Sequence, residues 1–172
     1  DAQGDLWLAA VEMELPERRI GLYKGVGRPD RVCTLGVDEL TGVSAPAVAG
    51  LDVGCVVAFG VEFDDRWRIA YGFVRETETK EVSCQVIQSE GTSNIFPAIA
   101  VGRSHVWIVW QSNAGSSRGI FACHVDQNGH GTPVRISSPK FNSYNPDVIA
   151  LENGDLFAVW DSVHGDSANI YG

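Results

Sequence analysis

The sequence predicts an all-β fold built from repeated four-stranded units, and three observations carry that reading. A period near 50 residues runs through the 172-residue chain. The runs between turns are short, β-branched and aromatic, and none sustains a helical 3.6-residue period. Gly, Asn, Asp and Ser punctuate the runs where tight hairpins need them, as in "ENGD" and "DQNGHG".

The period shows at several independent positions. Phe59, Trp110 and Trp160 recur at steps of 51 and 50, and each follows a proline: Pro46, Pro97 and Pro146. Ile20, Ile69, Ile120 and Ile170 recur at 49, 51 and 50. "GDLW", ending at Trp7, returns 150 residues later as "GDLF", ending at Phe157. One unit reads as strand A "PAIAVG", strand B "HVWIVWQ", strand C "GIFACHV", the turn "DQNGHG" and strand D "TPVRISS". Four antiparallel strands every 40 to 50 residues are the pattern of propeller blades, whose inner strands line a central channel. The bulky residue at the Phe59, Trp110 and Trp160 position is expected to fill the space between neighbouring blades.

The expected organisation is a β-propeller segment of about three and a half four-stranded antiparallel blades, with fourteen strands. Residues 1-44 form a partial blade (strands B, C and D), 45-95 and 96-144 form full blades, and 145-172 form a partial blade (strands A and B and the start of C). Beginning and ending inside blades, such a segment is expected to be cut at both ends. It would expose unpaired edges and interblade faces, so the missing remainder of the propeller, or self-association, is expected to cover them.

Composition narrows the function classes. The chain is 44% hydrophobic and 20% charged, as soluble globular proteins are. A net charge of −9 argues against nucleic acid, whose binding draws on Lys and Arg that displace counterions. Its longest apolar runs, such as "HVWIVW", fall short of the roughly 20 residues of a membrane-spanning helix, so no membrane span is expected.

From "PAIAVGRSHVWIVWQS" onward, and again at "PDVIALENGDLFAVWDS", the chain resembles a bacterial repeat reading P-x-V-A, G, V-V-W-x-S, G, I-x-A, D-x-x-G. Such units occur in large secreted or cell-surface proteins and are taken as β-propeller blades, sialidase-like or TolB-like in the broad sense. The resemblance implies the fold and an extracellular, periplasmic or cell-envelope address. It implies no activity, because propellers host lectins, hydrolases, lyases and scaffolds alike. A sialidase Asp box, S-x-D-x-G-x-x-W, is not matched: "HVDQNGHGTP" has His124 in place of Ser, Gly129 one position late and no Trp.

In a propeller the B-to-C loops and the D-to-A crossings open on one face around the channel, and function concentrates in such loops. The B-to-C loops carry Glu12, Glu14 and Glu17; Glu62, Asp64 and Asp65; and Asp161, His164 and Asp166. Glu62 and Asp65, with Trp67 as a sugar-stacking ring, could furnish acid/base carboxylates. A glycosidase needs two carboxyls about 5 to 10 Å apart. The same acidic loops could hold calcium, given six or more oxygens, and no other cofactor or metal is expected. His164 could act as a base held by Asp166, although no nucleophile accompanies it. Tyr144 and Asn145, before Pro146, could contact a ligand at the channel mouth or simply shape the crossing. Against all of these stands the plainer reading of acidic hairpins as solvated surface.

The four cysteines suggest neither disulfides nor metal. Cys55 aligns with Val106 and Leu156, and Cys33 and Cys84 align with Val134, so these are core positions filled by small hydrophobes. Cys33 and Cys84 are expected on outer strands of successive blades, too far apart to bridge. The functional expectation is a binding or scaffold module of a secreted or envelope bacterial protein, with a glycan or protein ligand at the channel-mouth loops. The alternative is a carbohydrate-active propeller enzyme, a glycoside hydrolase or polysaccharide lyase, using loop carboxylates.

Overall fold

The computed structural model describes residues 6–14, 17–26, 28–36, 42–75, 77 and 81–172. Every regular element among them is a β-strand. The first sheet holds β1 (Trp7–Glu14), β2 (Glu17–Lys24) and β3 (Asp30–Gly36). The second holds β4 (Gly42–Gly50), β5 (Cys55–Phe63) and β6 (Arg66–Val74). An outer strand follows in two pieces, β7 (Glu81–Ser83) and β8 (Gln85–Val86). The third sheet is β9 (Asn94–Val101), β10 (Val106–Ser112), β11 (Gly119–Val125) and β12 (Val134–Arg135). The fourth is β13 (Asn142–Ala150), β14 (Leu156–His164) and β15 (Ser167–Tyr171).

Consecutive strands within each sheet pair antiparallel, as short hairpins dictate. The outer edge of the second sheet departs from the expected pattern. β8 pairs antiparallel with β6, whereas β7 runs parallel to β3 in the first sheet, matching Thr34 with Glu81 and Gly36 with Ser83. One outer strand thus straddles two sheets, and its break at Cys84 yields fifteen strands among the described residues where the repeat predicts fourteen. The Cys84 amide donates to the Gly36 carbonyl at 3.2 Å, so the pairing continues through the break.

Because side chains alternate along a strand, the second and third sheets each bury one face against the sheet before and the other against the sheet after, while the first and fourth bury one face each. Three cores result. Ile20, Leu22, Leu35, Val57, Phe59 and Val61 fill the first; Val56, Ile69, Tyr71, Ile108 and Trp110 the second; Val109, Ile120, Val148 and the half-buried Trp160 the third. Phe59, Trp110 and Trp160 therefore occupy the same place in successive interblade layers, which is why the repeat keeps a large ring there.

The cysteines lie in these layers with no disulfide among the described residues: Cys33, Cys55 and Cys84 in the first and Cys123 in the second. The parallel pairing of β3 with β7 puts Cys33 and Cys84 in one core, on adjacent strands. Burial, reinforced by the neighbouring Cys33 thiol, pushes Cys55 and Cys84 up to about 12; burial alone does the same for Cys123. At the two ends of the stack the sheets present apolar side chains outward: Leu8 on the first, and Ile149, Phe157 and Ile170 on the last.

Candidate functional site

The inner strands β4, β9 and β13 stand side by side, and each is broken at the same level. Ala45, Phe96 and Asn145 have φ of 43°, 55° and 49°, and each is followed by the repeat proline. Two steric rules oppose this arrangement. A side chain disfavours positive φ, and a following proline pushes the preceding residue toward extended backbone. The ladder shows what holds it. Ser44 pairs with Gly60 and Ala47 with Ala58, so Ala45 and Pro46 together face Phe59. Phe96 and Pro97 face Trp110 in the same way, and Asn145 and Pro146 face Trp160. Two residues opposite one is a β-bulge, a device that re-aims side chains at barrel rims and binding sites. A large ring, buried at Phe59 and Trp110 and half-buried at Trp160, stands opposite each bulge, and the bulges turn three side chains of different chemistry toward one level. Phe96 remains 47% exposed there.

The third bulge gathers polar groups. Asn145 Nδ2 donates to Asp161 Oδ2 at 2.9 Å. The Arg118 guanidinium lies 5.8 Å from the centre of the Tyr144 ring. The phenyl ring of Phe141 and the imidazole of His164 have centroids 4.7 Å apart. The loop carrying Arg118 is held in place from both sides. Arg118 N donates to Asn142 Oδ1 at 2.9 Å, Ser143 N donates to Arg118 O at 3.0 Å, and Ser117 Oγ donates to Pro139 O at 2.8 Å.

From the outer strand, Arg135 reaches under the loop and donates to the carbonyls of Ala114, Ser117, Arg118, Ser137 and Ser138 and to Ser117 Oγ. Its partial burial lowers its pKa from the ordinary guanidinium value. Gln111, the counterpart of Asp161 in the third sheet, has a buried Oε1 without a hydrogen-bond partner. Tyr144, Asn145, Asp161 and His164, all named from the sequence, thus lie at one end of the fourth sheet, and Arg118 reaches Tyr144 from the third. Phe96 had a signal in the sequence, since it is the repeat counterpart of Asn145 immediately before a proline. Arg118 had none.

The other acidic set is arranged differently. Asp64 and Asp65 are the two central residues of the β5–β6 turn, with φ of 45° and 57°, the conformation of a type I′ hairpin. Both are exposed, and Asp tolerates the left-handed region better than most residues. Glu62 and Trp67 are paired across the same hairpin. The Trp67 ring covers Gly60, where an added Cβ would come within 3.3 Å of the indole, and its far edge lies over Gly42 together with the Glu62 carboxylate. Asp166 sits with Gly165 in the exposed two-residue turn between β14 and β15. Glu12 lies over Gly21 and accepts hydrogen bonds from Tyr23 Oη and Arg31 Nη2, so its carboxylate is engaged within the first sheet. No group of three or more side chains suited to a metal ion occurs among the described residues.

All these groups share one end of the sheets. The pairings Gly42 with Glu62, Asn94 with Ser112 and Asn142 with Val163 set the start of each inner strand beside a B-to-C turn. At the opposite end a cleft of about 810 Å³ opens between the second and third sheets, lined by Leu51, Phe73, Arg103, His105 and Asp126 among others.

No family model and no curated protein matches the sequence, so the likeness to the bacterial repeat rests on its motif alone. Solved structures do match in shape. An α-L-arabinofuranosidase from Lactobacillus brevis superposes with a TM-score of 0.58 at 11% identity, over 96% of this chain and 67% of that one. A thermostable family-43 glycoside hydrolase gives 0.59 at 12% identity, with the same coverage. An endo-arabinase from Bacteroides thetaiotaomicron gives 0.57 at 12% identity, over 98% of this chain and 70% of that one. At identities this low the likeness in shape shows the fold alone: the chain is a segment of a β-propeller, spanning about two thirds of the length of these structures.

Proposed function

We propose that this chain is part of a carbohydrate-active propeller and that a glycan lies across the inner-strand bulges, contacted by Phe96, Tyr144, Asn145 and Arg118. The observation that carries the reading is the triple bulge, which directs an apolar ring, an amide and its partnered carboxylate to one level around the axis. An exposed aromatic face for sugar C–H groups, flanked by hydrogen-bonding side chains, suits a polyhydroxylated ligand. The likeness in shape to glycoside hydrolases supports the same class of ligand. Asp161, held by Asn145, is the carboxylate best placed to act as an acid or base. Calcium at the acidic hairpins, a location outside the cytoplasm, and cover of the end sheets by further blades or a second copy belong to this reading.

Glycan binding without turnover is the second reading, and it has its own support. Ala45 and Phe96, at the other two bulges, cannot transfer a proton, so these three positions furnish no second carboxyl to partner Asp161. A glycan array on the protein, followed by a reducing-end assay on every hit, separates the two. Turnover abolished by Asp161→Asn supports the enzyme, binding without turnover supports the module, and the absence of any glycan ligand overturns both.

A further inference from the structure

A second concavity, of about 570 Å³, lies against β6 and is lined by Phe63, Asp64, Arg66, Arg68, Val86 and Gln88. Arg66 and Arg68 are two apart on one strand, so their side chains leave the same face of the sheet. Arg68 is held in place: Nη1 donates to Gly91 O at 2.6 Å and, more weakly, to Trp67 O at 3.4 Å. Both of those acceptors are neutral carbonyls. Neither guanidinium makes an ion pair among the described residues, although Asp64 lines the same concavity. Burial, and next the Arg66 charge, lower the Arg68 pKa from its ordinary value, as two guanidinium groups beside one partly enclosed recess should. Two cations against one carboxylate make the recess locally positive on a chain of net charge −9.

We propose that Arg66 and Arg68 form an acidic-sugar subsite that takes the carboxylate of a uronic acid unit. This rests on the glycan reading given above and names the substrate class. A guanidinium fork matches a carboxylate in planar, two-point geometry, which an ammonium does not. Phe63 and Val86 supply an apolar wall for the sugar ring, and Gln88 supplies an amide. The acidity of the rest of the chain repels densely charged polyanions, so isolated carboxylates on a polysaccharide fit better than a phosphodiester chain.

Titration calorimetry of the protein with a galacturonic acid hexamer, its carboxyl-reduced neutral counterpart and free glucuronate tests the proposal. The acidic hexamer is expected to bind at least tenfold more tightly than the neutral one, with an advantage that falls as salt rises. Arg66→Gln, at an exposed position, is expected to remove most of that advantage and to leave neutral binding and the melting temperature unchanged. Asp64→Asn, which removes the competing carboxylate, is expected to strengthen acidic binding severalfold. Equal affinity for the two hexamers, or full acidic affinity in Arg66→Gln, overturns the subsite while leaving the glycan reading intact. Glucuronate binding that depends on Arg66, with neither hexamer bound, keeps the anion site and removes the glycan function. Silence from all three probes removes both.

Discussion

The indole Nε1 of Trp110 donates to Asn94 Oδ1 at 3.1 Å, with both residues fully buried. The amide of Asn94 in turn donates to Trp67 O at 3.1 Å and Glu90 O at 3.2 Å, so one side chain ties the third sheet to the second. The equivalent position before Phe59 is Val43, which pairs with Val61, and the Phe59 ring has no N–H to satisfy. In the fourth sheet the position is Ser143, bonded to Ser162 at 2.8 Å. Polarity thus changes in step at positions that touch, since a buried donor or acceptor left alone is costly.

Trp110→Ala is expected to destabilise the protein by about 3–5 kcal/mol, because it opens a cavity and strands the Asn94 oxygen. Trp110→Phe keeps most of the volume and is expected to cost about 1–3 kcal/mol, largely from the orphaned amide. Restoring the arrangement of the second sheet with Trp110→Phe plus Asn94→Val should recover part of that loss. Chemical denaturation of the three variants gives the coupling directly, and strictly additive losses would contradict it.

Arg135 reaches Arg118 only at its backbone carbonyl, from the outer strand, yet its loss should weaken binding. Arg135→Met keeps much of the apolar stem but removes the donors that hold residues 113–118. Hydrogen exchange in that loop is expected to quicken, and glycan affinity to fall about tenfold as Arg118 loses its fixed position. Unaltered exchange there would show that the loop is ordered by other contacts.

The bulges store backbone strain that glycine relieves. Ala45→Gly is expected to change stability little or raise it by up to about 1 kcal/mol, since the gain at positive φ exceeds the entropic cost of glycine. Phe96→Gly should relieve the same strain but lose the ring, and with it most of the glycan affinity. A thermal melt and a binding isotherm for each variant separate backbone from side chain.

Stability should fall in alkaline solution. Cys55, Cys84 and Cys123 sit at about 12 in the folded protein, above the ordinary thiol value near 8.5. Below about 8.5 both states keep these protons and the thiols give no pH dependence. Between there and about 12 the unfolded chain ionises first, so the folded state loses ground steadily. Urea midpoints across that window should decline, and less steeply in Cys123→Ala. The native protein should also react slowly with a thiol reagent until it unfolds.

Trp160 and Asn145 show where the sequence was legible. Side-chain alternation and a 50-residue recurrence are local and repetitive properties, so they predict the strands, the sheets and the rings between them without coordinates. They also single out one end of the sheets, where the B-to-C loops depart from the repeat. Asp64 and Asp65 read as chemistry in the sequence and form a type I′ turn in the structure, because the same short carboxylates suit tight turns and proton transfer.

Taken alone, the chain's residues determined an all-β propeller segment and the interblade place of Phe59, Trp110 and Trp160. Tertiary structure decided that β7 leaves its own sheet to pair with β3, that the residues before the repeat prolines turn to positive φ, and that Arg135 holds the loop of Arg118. The reason is physical. Burial along a strand follows from its own alternation, whereas a bulge, an edge pairing or a guanidinium tether depends on which distant backbone group comes within 3 Å or so, and no local pattern encodes that.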